Sequence, residues 1–136
     1  MKFIKNIINF IAELIQLIKK TILIILILHL SQRSSKLYRL GWINKAVTLA
    51  EQALELALSL EIGDNPLVAS SLNNLAFFYT YQGKLSQAEL LLQQALAMLK
   101  RFFEGDHYIL AFSLNGLAEV YRIQGKLSQN VLPPLP

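Results

Sequence analysis

Residues 64–87 read DNPLVASSLNNLAFFYTYQGKLSQ, and residues 106–129 read DHYILAFSLNGLAEVYRIQGKLSQ. Set over each other at an offset of 42, the two stretches share 14 of 24 residues, namely Asp64, Ala69, Ser71, Leu72, Asn73, Leu75, Ala76, Tyr79 and Gln82 to Gln87. Unrelated stretches would share about one or two, and a fixed period of about 20–50 residues marks a chain built from stacked copies of one small unit. The same offset reaches backwards, setting Gly41, Ala46, Leu49, Gln52, Ala53 and Leu54 against Gly83, Ala88, Leu91, Gln94, Ala95 and Leu96.

Each copy reads as two helices around a glycine. The pattern predicts helices from about Asn44 to Glu61, from Pro66 to Gln82, from the Gly83 turn to about Phe103, and from Tyr108 to Gln124. Pro66 suits a first helical position, with Asn65 or Asp64 as its cap. Ser86 and Glu89 have the spacing of a capping box, and Lys100 and Arg101 complement the dipole of the helix they close. No segment alternates like a strand between hairpin turns, so the fold class is all-α: antiparallel helix pairs stacked as a short α-solenoid. The last repeat is truncated, because Pro133, Pro134 and Pro136 interrupt any second helix there.

Residues 1–40 form a separate arm and residues 41–136 the repeat region. The arm holds seven Lys or Arg and one acid, whereas the remainder holds six bases and eight acids, so the net charge of +4 hides a basic end. From Lys2 to Lys20 the polar residues fall within one sector of about 140° at 100° per residue, which describes an amphipathic helix with a wide apolar face. Ile22 to Leu28 is wholly apolar but falls short of the roughly 20 residues that cross a bilayer. Three readings stay open: extra repeat helices folded as a hairpin on the helix near Asn44, a membrane-surface anchor, and a signal peptide or true span. The first has support from Ile4, Ile7, Ile8, Ile11, Leu14 and Ile18, which keep the apolar phase of Ala46, Leu49, Ala50, Ala53, Leu56 and Leu60. The third is weakened by Ser-Gln-Arg-Ser-Ser after the apolar block, where a cleavage site asks for small residues.

A hydrophobic content of 54% is ample for a core, and the absence of cysteine removes disulfides and cysteine chemistry together. A cytoplasmic compartment is the default, with peripheral membrane contact through residues 1–30 as its variant. Nucleic acid is not expected, since the bases of the arm are diluted by Ile and Leu instead of clustering on a polar surface.

Helix pairs that repeat with small residues at fixed places resemble the tetratricopeptide repeat family, in its 42-residue form found in kinesin light chain and in many bacterial proteins. Leu72, Leu75, Ala76 and Tyr79 on the first helix, Gly83 at the turn, and Ala88, Leu92 and Ala95 on the second carry the match. Leu114, Leu117, Ala118, Tyr121 and Gly125 repeat it, before Asn130 departs from the Ala position. In the first copy Leu30, Arg33, Ser34 and Leu37 keep only the register. The resemblance implies a protein–protein interaction scaffold whose first helices line a concave groove for a peptide or a partner's helix.

Residues suited to chemistry are sparse. His29 and His107 have no second ligand at metal spacing, Asp64 and Asp106 read as helix caps, and Trp42 reads as a packing residue. No nucleophile, base and metal come together, so neither an enzyme nor a cofactor is expected. With Leu72, Leu75, Ala76 and Tyr79 committed to packing, the adjoining stripe of Ser70, Asn73, Phe77 and Thr80 is left for the groove, with Phe112, Asn115, Glu119 and Arg122 in the next copy and Leu28, Ser31, Ser35 and Tyr38 in the degenerate one. Asn73 and Asn115 recur, and an amide both donates to and accepts from an extended main chain. Solvation, or bonding between helices, is the other reading of these two residues. Two alternatives stand beside the scaffold: a membrane-associated adaptor anchored by residues 1–30, and a fragment of a larger array. The incomplete last repeat, with Leu114, Leu117, Ala118 and Tyr121 partly uncovered unless Leu132 and Leu135 close over them, invites weak self-association.

Overall fold

In a computed structural model, which describes residues 1–60, 63, 65–105 and 107–125, the chain forms five helices. They are α1 (Lys2–Arg39), α2 (Ile43–Ser59), α3 (Pro66–Tyr81), α4 (Leu85–Phe102) and α5 (Tyr108–Ile123), and no strand occurs among the described residues. Helix packs on helix in chain order, and α3 also touches α1 and α5, so the first helices of successive pairs line up along one side of the stack. Short connections make neighbours antiparallel. Accordingly Val47 near the start of α2 shares a cluster with Phe78 near the end of α3, and Ala57 shares one with Val68.

Small residues set the spacing of the stack. Ala46, Ala50, Ala53 and Ala57 follow one another at one-turn intervals on α2 and are almost wholly buried, as are Ala88 and Ala95 on α4 and Ala76 on α3. Alanine costs no side-chain entropy in a helix and lets two backbones approach closely. Ser34, the counterpart of Ala76, is 0% exposed on α1, where its hydroxyl donates to the Ser31 carbonyl. Ala118, the third counterpart, is only half-buried. The turns follow the glycines. Gly41 and Gly83 adopt φ of 83° and 78°, a left-handed conformation that ends α1 and α3 and that a side chain would strain.

The caps correct one reading and locate two others. Asn65 caps α3 by accepting from the Val68 amide at 3.0 Å, ahead of Pro66. His107 caps α5, its Nδ1 accepting from the Ile109 amide at 3.4 Å, while its ring stacks on Phe103. Asp64 and Asp106 lie outside the described residues. No capping box forms on α4: Lys84 is the cap, without a side-chain bond, and Ser86 already lies inside the helix. Lys100 and Arg101 do close that helix.

The arm is corrected as well. Residues 2–39 make one continuous helix of 38 residues, not a hairpin. No glycine or proline interrupts it, and Lys19–Lys20, which break the apolar run, are themselves good helix formers. Only its second half packs. Ile27 is 0% exposed against α2 and α3, with Leu23 and Leu30 beside it, whereas every residue from Met1 to Ile22 is exposed. The phase shared by Ile4 to Ile18 with the α2 alanines therefore buries nothing. At 1.5 Å per residue this free half projects about 30 Å beyond the stack.

Candidate partner-binding cleft

The first helices of the three repeats line an open cleft of about 960 Å³. From α1 come Leu28, Ser31, Ser35 and Tyr38, from α3 come Asn74, Phe77 and Phe78, and from α5 comes Phe112. Its floor is aromatic. The Tyr38 ring lies 5.1 Å from Phe77 in an edge-to-face arrangement and 5.0 Å from Tyr81, and Phe77 is 5.0 Å from Tyr81. Such pairs hold one another rigidly and add to what burial alone supplies. A hydrogen bond with Tyr81, with burial adding to it, pushes the Tyr38 hydroxyl up to about 12, so it remains a neutral phenol. Phe77 on α3 and Phe112 on α5 are 39% and 51% exposed, large apolar surfaces left facing water. Arg39 and His29 also line the cleft, and among the described residues no acid does.

The residues singled out from the sequence divide. Leu28, Ser31, Ser35, Tyr38, Phe77 and Phe112 come together in the cleft. Asn73 does not. It is 2% exposed between α3 and α5, and its Oδ1 accepts from the Ser113 hydroxyl at 2.9 Å, so it joins helices instead of facing a groove. Asn115, its counterpart, is exposed on α5 outside the cleft lining. Ser70 is half-buried, and the Thr80 hydroxyl donates back to the Ala76 carbonyl; neither reaches the cleft. Glu119 and Arg122 form an exposed ion pair with each other at 2.6 Å, and this pairing lowers the Glu119 carboxyl and raises the Arg122 guanidinium from their ordinary values.

Sequence reasoning missed Ile25, His29, Gln32, Arg39, Asn74 and Phe78. A signal for the aromatic floor was present, because Phe77 and Phe78 are places where the copies disagree, their counterparts being Glu119 and Val120. Tyr79, where they agree, leans on α2, its hydroxyl donating to Glu51 at 2.8 Å and, chiefly through burial, pushed up to about 12. Trp42 is not a core residue: it is 53% exposed, with the Lys45 ammonium 4.3 Å above its ring. Leu117 and Tyr121 are buried and Leu114 is 44% exposed, so the uncovered part of α5 is narrower than its apolar pattern suggests. Leu132 and Leu135 lie outside the described residues. Among those residues no group of three or more His, Asp or Glu stands close enough to hold a metal ion, and no helix is long and apolar enough to cross a membrane.

No curated protein matches the chain. Among solved structures, it is similar to the nearly identical tetratricopeptide-like repeats of a kinesin light chain from Podosopora anserina and to a variant of those repeats carrying a substitution to methionine. Identity is 23% in both, with TM-scores of 0.68 and 0.67. The match covers 74% of this chain and 48% of each of those, so this chain spans about half their length. The family model of the tetratricopeptide repeat matches residues 30–101 and again 73–129, which covers the C-terminal end of α1 and everything from there through the turn at Gly125. The chain belongs to the tetratricopeptide repeat family.

Proposed function

We propose that the protein is a non-catalytic interaction scaffold whose cleft receives a peptide or a partner helix. The observation that carries this reading is the pair of exposed phenylalanines, Phe77 and Phe112, facing a common space beside the rings of Tyr38 and Phe78. Isolated exposed apolar side chains are ordinary, but a concave cluster of aromatics rimmed by polar groups is what an anchor side chain fits. Ser31, Ser35 and Asn74 supply hydroxyl and amide groups beside it. With Arg39 and His29 on its wall and no acid among the described residues there, the cleft suits a bulky apolar residue next to a carboxylate. The exposed Phe112 and Leu114 of α5 add weak self-association to this reading.

A displayed random-peptide library, selected on the full chain, tests it. Enriched peptides should carry an aromatic or aliphatic anchor beside Asp or Glu, and Phe77→Ser or Phe112→Ser should weaken them about tenfold or more, as truncating a central aromatic does. No enrichment, or binding indifferent to both substitutions while thermal melts are unchanged, contradicts it.

A further inference from the structure

The free half of α1 carries a second surface, which meets the edge of the cleft at Ile25, His29 and Arg39. At 100° per residue, Ile4, Ile7, Ile11, Leu14, Ile18, Ile22 and Ile25 make one stripe, and with Phe3, Phe10 and Ile15 on its flanks the apolar sector widens to about 140°. Every one of these side chains is more than 40% exposed. The stack lies on the other side of the same helix: Ile25 is 61% exposed and Ile27, two positions on and so nearly opposite, is 0% exposed. Beyond Ile25 the stripe does not stop but changes chemistry, running through His29 to Arg33 and Lys36 with Arg39 beside them, all exposed. Glu13, the one acid of the first 40 residues, sits on the polar side.

We propose that α1 lies along an anionic lipid surface, with the Ile4–Ile25 stripe sunk into the boundary between headgroups and acyl chains and Arg33, Lys36 and Arg39 on lipid phosphates. Charge complementarity selects this occupant. In a parallel pairing with a second copy, those three bases would meet their own counterparts, and neither flank of the stripe carries the opposite charges that set register in a helical pair. The sector is also wider than the seam two helices share, and it matches a helix lying in an interface. Because α1 does not qualify as a span, it lies on the surface and does not cross it. The stack is then raised on the water side, and the cleft, about a quarter turn round α1 from the stripe, opens alongside the membrane.

Co-flotation of the full chain with vesicles of mixed phosphatidylglycerol and phosphatidylcholine, against phosphatidylcholine alone, tests this. The chain should prefer the anionic vesicles by about tenfold or more, and the preference should fall with salt. Ile11→Asp with Ile18→Asp should abolish flotation, Arg33→Gln, Lys36→Gln and Arg39→Gln together should reduce it several-fold, and Asn9→Ser on the polar side should leave it unchanged; circular dichroism should show all variants folded. Absence of flotation, equal flotation on both vesicles, or sedimentation of a stable oligomer that excludes vesicles and is dispersed by Ile11→Asp would overturn it.

Discussion

Asn73 and Asn115 hold equivalent places in two copies of one repeat, yet α5 closes over the first and the second stands in water. Their substitutions should therefore separate. Asn73→Ala leaves the buried Ser113 hydroxyl without its acceptor on α3 and should cost about 1–3 kcal/mol, while Asn115→Ala should stay within about 0.5 kcal/mol. Urea denaturation of the two variants measures this, and equal midpoints would remove Asn73 from the α3–α5 interface. The comparison also shows what recurrence within a chain means. On α3, the positions where the copies agree (Leu72, Asn73, Leu75, Ala76) are buried against other helices, the demand that stacking makes of a repeat with a neighbour on each side. Phe77, where the copies differ, is free of that demand and lines the cleft, with Tyr81 packed on its ring. The period pointed to packing, and the breaks in the period pointed to the site.

At the scale of elements, α1 joins two environments in one uninterrupted helix. Its second half is the first helix of the first repeat, with Leu30 and Ser34 at the places of Leu72 and Ala76, and Arg33, at a Leu place, is simply exposed. Ile27→Ala should cost about 2–5 kcal/mol, as a buried deletion does, whereas Ile25→Ala should change stability by less than about 0.5 kcal/mol. Urea midpoints with an unchanged m-value would check both, and a large loss at Ile25 would show that the stripe packs within the molecule. Helix positions in α2 to α5 were legible to within one or two residues because glycine turns bound them. The course of α1 was not. Period identifies an apolar face, but only the position of α2 and α3 shows that the face from Leu23 to Leu37 is the one that packs.

Across the whole molecule, five helices in a row bring three first helices side by side, and their exposed flank is where side chains 35–50 residues apart in sequence meet. The stacked architecture was readable from the 42-residue offset, since a helix pair cannot bury its apolar face alone. The aromatic floor was not, because it depends on Tyr38 meeting Phe77 and Phe78 across α1 and α3. Backbone and side-chain NMR of the full chain, titrated with a peptide selected on it, measures directly where a partner sits. Shifts confined to Ser31, Ser35, Tyr38, Asn74, Phe77 and Phe112, with Trp42, Lys45 and residues 2–20 unmoved, are the predicted result; shifts centred on Trp42 and Lys45, or on the arm, with the cleft silent, would contradict it.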